Sequence, residues 1–323
     1  MTKRNVLIFH SGAMGDFVVS WPLAMACCRV MPQNRVIYVT AGQKGKLAEH
    51  VLGVESIDIE SGFASLWQGA DGAPENVRKL VAGAAMIFSF GTHDDDQWSA
   101  AVRAIAPEAR LIHLTTKCPD AFAGHVARYM VEQIKAVQPA VAAAVGQMVS
   151  ALFRRGYGSR SVLRDGVLLH PGSGAERKNW PRERFVELGT ALVQSGHSVR
   201  YILGEVEREK WGKAVWEEFA SVGTVVQPAT LVDLGRLLGN AAAVVCNDSG
   251  PAHVSAALGV PTVAIFGPAS NAEQWSPTGP AVSVVTTPSL AELGTPRVLA
   301  EVSELLARAS AGARSVEAPS SDE

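Results

Sequence analysis

Short apolar runs alternate along the chain with longer stretches in which apolar residues recur at helical spacing. Runs this uniformly apolar predict strands buried on both faces of a parallel sheet, and the periodic stretches predict the helices that cover it. In the first half the strands fall at Asn5 to Phe9, Val36 to Thr40, Ser56 to Ile59, Met86 to Phe90 and Leu111 to Leu114, with helices over Trp21 to Val30, Lys44 to Leu52 and Asn76 to Ala82. Ala121 to Arg155 predicts two helices broken near Pro139, and the glycine- and arginine-bearing stretch Gly156 to Gly166 predicts a linker. The second half repeats the design. Strands are predicted at Val167 to His170, Ser198 to Leu203, Ala242 to Cys246 and Thr262 to Phe266, and helices at Arg182 to Ser195, Glu205 to Phe219, Thr230 to Leu238 and Ala252 to Leu258. Arg297 to Ala309 predicts a last helix, and Ser310 to Glu323, lacking large apolar residues, a disordered tail. The predicted organisation is an α/β chain with one domain over residues 1–155, a linker at 156–166, a second domain over 167–296, the helix at 297–309 and the tail at 310–323.

Polar residues concentrate where strands run into helices, the end of a parallel sheet at which ligands bind. After the strand ending at Cys246, Asn247-Asp248-Ser249-Gly250 supplies helix-capping side chains and a flexible glycine, and Pro251 suits a first helical turn. Such a helix start holds a phosphate: its unpaired N–H groups face outward, Gly250 admits close approach, and His253 adds a donor. The same residues also make an ordinary cap. After His170, the small-residue loop Pro171-Gly172-Ser173-Gly174 lets backbone N–H groups converge on an anion, with Arg177 and Lys178 following. The spacing excludes a Walker loop. Near the amino terminus, His10-Ser11-Gly12-Ala13-Met14-Gly15-Asp16 carries GxxG and no dinucleotide fingerprint; Asp16 fits a dipole-complementing residue as well as a base. Glu205, just past a strand, suits either a helix start or the two hydroxyls of a ribose, with Glu207 close by. Asp94-Asp95-Asp96 reads as a solvated turn, and no metal site is predicted.

Composition permits two ordinary domains: 323 residues, 47% hydrophobic. A net charge of -2 gives no global field for nucleic acid, so none is expected as a partner. The four cysteines form no CxxC pair and no disulfide framework. With no apolar run of membrane-spanning length and no signal-like segment, a cytoplasmic chain is expected.

Asn247 to His253, followed by Ala256-Ala257-Leu258-Gly259-Val260-Pro261-Thr262 and Phe266-Gly267-Pro268, resembles the donor-binding signature of glycosyltransferase family 9, the heptosyltransferases. Gly15-Asp16 ahead of Pro22, His-Pro-Gly-Ser-Gly with Lys-x-Trp-Pro at 170–181, and Leu-Gly-Glu-Val-Glu-Arg at 203–208 are similar to further family segments. His125 with Tyr129 resembles the family's segment near the acceptor side, and Ala269 to Pro277 the segment that closes over the donor. The resemblance implies the GT-B fold, two Rossmann-like domains facing across a cleft, with the last helix packing back on the first. It implies inverting, metal-independent transfer of heptose from ADP-heptose to lipopolysaccharide core, with the nucleotide sugar as substrate and no cofactor. Asp16 would be the base. Lys178, with Arg177 competing for the role, would hold the donor phosphates together with Ser173, Ser249, Gly250 and His253; Asp248 would orient, and Glu205 or Glu207 would take the ribose, Glu205 being preferred. A glycan or lipid-linked glycan acceptor implies peripheral contact at the inner face of the cytoplasmic membrane; basic residues offered to it are Lys44, Lys46, Arg103, Arg110 and Lys117. The rival readings are a nucleotide-sugar epimerase of similar architecture and an inactive nucleotide-sugar-binding module.

Overall fold

The apolar runs assemble into two separate parallel sheets in a computed structural model that describes residues 4–158 and 165–317, except for the side chains of residues 205–206 and 312–317. The chain divides into two units, Met1–Ala151 and Leu152–Glu323. In the first, β1 (Asn5–His10), α1 (Met14–Val30), β2 (Arg35–Thr40), α2 (Gly42–Leu52), β3 (Glu55–Asp58), α3 (Glu75–Ala82), β4 (Ala84–Phe90), α4 (Gln97–Ile105), β5 (Arg110–Leu114) and α5 (Val126–Val137) follow in order, and the division falls within the next helix, α6 (Pro139–Arg155). The sheet order is β3-β2-β1-β4-β5. Every residue of β1 is buried, as its unbroken apolar run predicts for a central strand covered on both faces. Leu7, Phe9, Ile37, Val39, Phe63, Ile87 and Trp98 form one side of the core.

The second unit holds β6 (Val167–His170), α7 (Arg182–Gln194), β7 (Val199–Ile202), α8 (Glu205–Ala220), β8 (Thr224–Val226), α9 (Leu231–Gly239), β9 (Ala243–Asn247), α10 (Gly250–Ala257), β10 (Thr262–Phe266), α11 (Ala272–Trp275), β11 (Val282–Thr286) and α12 (Thr295–Glu317). Its sheet order is β11-β10-β9-β6-β7-β8, again all parallel. The edge strands β8 and β11, the helix α4 and the one-turn helix α11 are the elements named above that the apolar pattern does not mark. An edge strand is covered less and needs fewer apolar residues, and most of β8 and β11 is only part-buried.

Val298, Val302 and Leu305 of α12 lie in the core of the second unit. α12 also runs on to Glu317, past Ser310, where a disordered tail was expected; alanines at 307, 309, 311 and 313 sustain it. Residues 318–323, and 159–164 of the expected linker, lie outside the described residues. The division falls at Ala151/Leu152, just ahead of that linker. Among the described residues, no helix is long and apolar enough to cross a membrane.

Both strand orders reverse once. In the first sheet the chain winds from β1 outward to β3 and then returns to the other side of β1 with β4; in the second it winds from β6 to β8 and returns with β9. The loops beyond the carboxyl ends diverge at these switch points, β1/β4 and β6/β9, and leave a crevice.

Candidate functional site

At the β6/β9 switch point the two loops are stitched together by the amide of Asn247, which is fully buried. Its Nδ2 donates to the Pro171 carbonyl at 2.7 Å, and its Oδ1 accepts from the Trp180 backbone N–H at 2.9 Å. Trp180 is in turn buried against Phe185, with its indole N–H on the Leu293 carbonyl. The loop after β6 is therefore fixed to the end of β9 by paired polar groups with no water to replace them. Asn247→Ala should cost about 2–4 kcal/mol of unfolding free energy, because it orphans a buried donor and a buried acceptor at once. Urea denaturation measures this, and a loss below about 0.5 kcal/mol would show that the loop holds without the amide.

That stitching brings Lys178 to Asp248. Nζ donates to Oδ2 at 2.7 Å, and the same carboxylate oxygen accepts from Ser270 Oγ at 2.7 Å. The Asp248 side chain is 9% exposed and that of Lys178 29%, so the pair is half-desolvated and the ammonium keeps an open side. Arg177 is exposed and makes no ion pair among the described residues. Next to the pair α10 begins at Gly250, with Pro251 in its first turn and no side chain capping it. Ser249, the residue before the helix, is buried; its Oγ makes no well-formed hydrogen bond among the described residues, although it lies close enough to the Cys246 thiol to oppose slightly the upward push that burial gives it. His253 is buried with its ring 6.5 Å from Trp275 and nearly perpendicular to it. An uncapped helix start beside a lysine presents positive potential to an anion.

Ser173 spends its hydroxyl locally, donating to the Ala175 carbonyl at 2.7 Å and accepting from its N–H at 3.2 Å. The side chain of Glu205 lies outside the described residues. Glu207 turns back toward the site: Oε2 accepts from the Gly204 N–H at 2.9 Å, and Oε1 lies 2.0 Å from where a Cβ on Gly172 would stand, so a larger residue there would push the carboxylate aside. The buried His170 imidazole beside it is held below its ordinary range by desolvation, against the pull of the Glu207 carboxylate.

In the first unit, Asp16 lies in the first turn of α1, earlier in the helix than the sequence pattern indicates. Its Oδ1 accepts from Thr116 Oγ1 at 2.5 Å. Thr116 follows β5 on the same rim, and its part was not legible in the sequence because it is one hydroxyl among many. Lys44 Nζ donates to the Gly12 carbonyl at 2.5 Å. Burial holds the Lys44 ammonium below its ordinary range, with Asp16 pulling it back up. The three aspartates at 94–96 divide as a turn would: Asp94 pairs with Arg103, Asp96 caps α4 by accepting from the Ser99 N–H at 2.7 Å, and Asp95 is exposed. His125 caps α5, its Nδ1 accepting from the Ala127 N–H at 3.1 Å.

The family model described as Glycosyltransferase family 9 (heptosyltransferase) matches residues 92–298, more than half of the chain. The chain belongs to glycosyltransferase family 9. The matched span holds Lys178, Asp248 and the start of α10, whereas Asp16 lies before it. Among curated proteins the chain is similar to lipopolysaccharide heptosyltransferase 1 of Pseudomonas aeruginosa, 38% identical over 104 residues, which is 32% of this chain and 28% of that protein. The chain thus matches well under half of that relative's length. Two solved structures share the fold over most of both chains. The structure of the Escherichia coli ADP-heptose lipopolysaccharide heptosyltransferase II has a TM-score of 0.71 at 19% identity, covering 95% of this chain and 99% of that one. An Escherichia coli heptosyltransferase solved with ADP has a TM-score of 0.66 at 18% identity, covering 93% and 99%. The two Rossmann-like units are those of the GT-B fold.

Proposed function

We propose that the chain is an inverting glycosyltransferase that moves heptose from ADP-heptose to a hydroxyl of a lipopolysaccharide-core glycan. The observation that carries this reading is the Lys178–Asp248 pair beside the open start of α10, at the switch point of the second sheet. The named activities of the family relatives support the choice of sugar. In the reaction the acceptor hydroxyl gives its proton to Asp16 as its oxygen bonds to the anomeric carbon. The bond from that carbon to the diphosphate oxygen breaks, and ADP leaves with the electron pair. The charge it gains is met by the Lys178 ammonium and the N–H groups at Ser249 and Gly250. Asp248 keeps the ammonium in place, and His253 stands on the same helix turn. The ribose hydroxyls fall to Glu207 or Glu205; the Glu207 carboxylate against Gly172 favours the former. Ser173, its hydroxyl turned to Ala175, would meet phosphate through the backbone of its loop. No metal or cofactor is required, and a lipid-linked acceptor would place the work at the inner face of the cytoplasmic membrane.

Thermal unfolding with a panel of nucleotide sugars tests the donor. ADP-heptose and ADP at about a hundred times Kd should each add about 2.7 kcal/mol, a rise of a few degrees in Tm, while UDP- and GDP-sugars leave it unchanged. A larger shift with a uridine or guanosine donor would overturn the choice of ADP.

A further inference from the structure

The carboxylate of Asp16 is held by a residue 100 positions further along the chain. Thr116, in the loop that follows β5, donates its hydroxyl to Oδ1 at 2.5 Å, whereas Oδ2 accepts no hydrogen bond among the described residues. An aspartate left to itself does not make this distinction. Its terminal torsion is broad and roughly two-fold, and Asp16 is only part-buried, so the two oxygens of an unheld carboxylate would exchange places. A hydroxyl fixed on one oxygen breaks that equivalence and sets the direction of the other.

The hydroxyl is itself fixed. The side-chain amide of Gln133, on α5, pairs with both backbone groups of the preceding residue: Oε1 accepts from the Thr115 N–H at 2.9 Å, and Nε2 donates to the Thr115 carbonyl at 2.9 Å. Thr115 Oγ1 then accepts from the Lys117 N–H at 3.0 Å, which closes a tight turn with Thr116 at its centre. Thr116 is β-branched and therefore stiff about χ1, so a loop pinned in this way aims the hydroxyl in one direction. The turn ahead of α1 is equally constrained. A Cβ placed on Gly12 would stand 3.2 Å from Asp16 Cβ, tighter than ordinary van der Waals contact, and Lys44 Nζ holds the Gly12 carbonyl at 2.5 Å. The turn thus fits closely against Asp16 Cβ while Thr116 holds its carboxylate.

We propose that Thr116 is a positioning residue for sugar transfer: by holding Oδ1 of Asp16 it fixes Oδ2 as the oxygen that takes the acceptor proton. The proposal rests on the glycosyltransferase reading above. The proton passes from the acceptor hydroxyl to Oδ2 as the hydroxyl oxygen bonds to the anomeric carbon and ADP leaves with the electron pair; the Thr116 proton stays on Oγ1 throughout. A base misplaced by about an ångström costs on the order of a hundredfold in rate without changing what the site binds.

Steady-state transfer from ADP-heptose to a truncated lipopolysaccharide core, measured on the 323-residue chain, tests this. Thr116→Val keeps the branched shape and removes the hydroxyl. Its kcat should fall about ten- to a hundredfold, while KM for both substrates and Kd for ADP stay within about threefold of the parent. Thr116→Ser restores the hydroxyl and should bring kcat back to within about threefold of the parent. The comparison that decides is Thr116→Val placed on Asp16→Asn: with the base gone there is nothing to position, so the second change should cost less than about twofold. A merely structural role would lower the active fraction in both backgrounds alike, and equal factors in the two would overturn the proposal. A kcat for Thr116→Val within about twofold of the parent, or no recovery in Thr116→Ser, would overturn it as well while leaving Asp16 as the base. Cooperative thermal melts check that each variant is folded, and Thr116→Ala carries the same comparison if the valine variant is not. Transfer undiminished by Asp16→Asn, or absent from the parent chain, would sink the reading on which the proposal rests and the proposal with it.

Discussion

Asp16→Asn is expected to lower sugar transfer by about two to four orders of magnitude, the usual contribution of a general base. The substitution isolates that role. An asparagine Oδ1 accepts from Thr116 Oγ1 as the carboxylate does, so the side chain should keep its place in the first turn of α1. What it loses is the ability to take a proton from the acceptor hydroxyl. Affinity for ADP should stay within about twofold, because the donor contacts proposed here all belong to the second unit. The test pairs turnover of ADP-heptose and acceptor with a separate ADP titration, so that catalysis and binding are read independently. Transfer within about tenfold of the parent would remove Asp16 from the reaction.

Lys178→Ala should weaken ADP by about ten- to a hundredfold while adenosine binding changes little. In the proposed site the ammonium would make a charge-assisted contact that only the phosphates can use, and a nucleoside would keep its base and ribose contacts. A complication is built into the site. Removing Lys178 leaves the nearly buried Asp248 carboxylate with Ser270 as its remaining partner, close to where the phosphates are proposed to lie. Part of the lost affinity is then repulsion rather than a missing contact. The double variant Lys178→Ala/Asp248→Asn separates the two: affinity that recovers in the double variant is the share due to repulsion, and the remainder is the direct contact. Calorimetric titration of both ligands against the three proteins gives the numbers. Equal weakening of ADP and adenosine by Lys178→Ala would show damage to the loop instead.

What the sequence made legible follows the strength of each physical signal. Central strands such as β1, β4, β9 and β10 stand out because burial on both faces demands an unbroken apolar run. The edge strands β8 and β11 escape because one side of each is uncovered and composition there is mixed. The loops that carry Asp16, Lys178 and Asp248 were legible as strand-to-helix turns, and the family resemblance singled out those residues within them. Their partners were not, because Thr116 lies 100 residues from Asp16 in sequence, and Ser270 lies 22 from Asp248. Serine and threonine are too common for such pairings to leave a local mark. Lys178 and Arg177 looked equivalent until the fold directed one ammonium to Asp248 and left the guanidinium exposed. Glu207 was set behind Glu205 on its distance from the strand. A side chain at the third position of a helix reaches back over the helix start, and that is how its carboxylate comes to Gly204 and Gly172. The apolar face of α12 was legible as a helix, yet its spacing carries no information about which unit it covers.

Acceptor-dependent release of ADP from ADP-heptose by the 323-residue chain is the measurement that bears most directly on the proposed function. With a heptose-bearing truncated lipopolysaccharide core present, ADP should appear in step with a core extended by one sugar in the opposite anomeric configuration to the donor. With the core omitted, release should fall to background. Nucleotide binding without release under any acceptor would mark a nucleotide-sugar-binding module, and release with retention of configuration would contradict a single displacement assisted by Asp16.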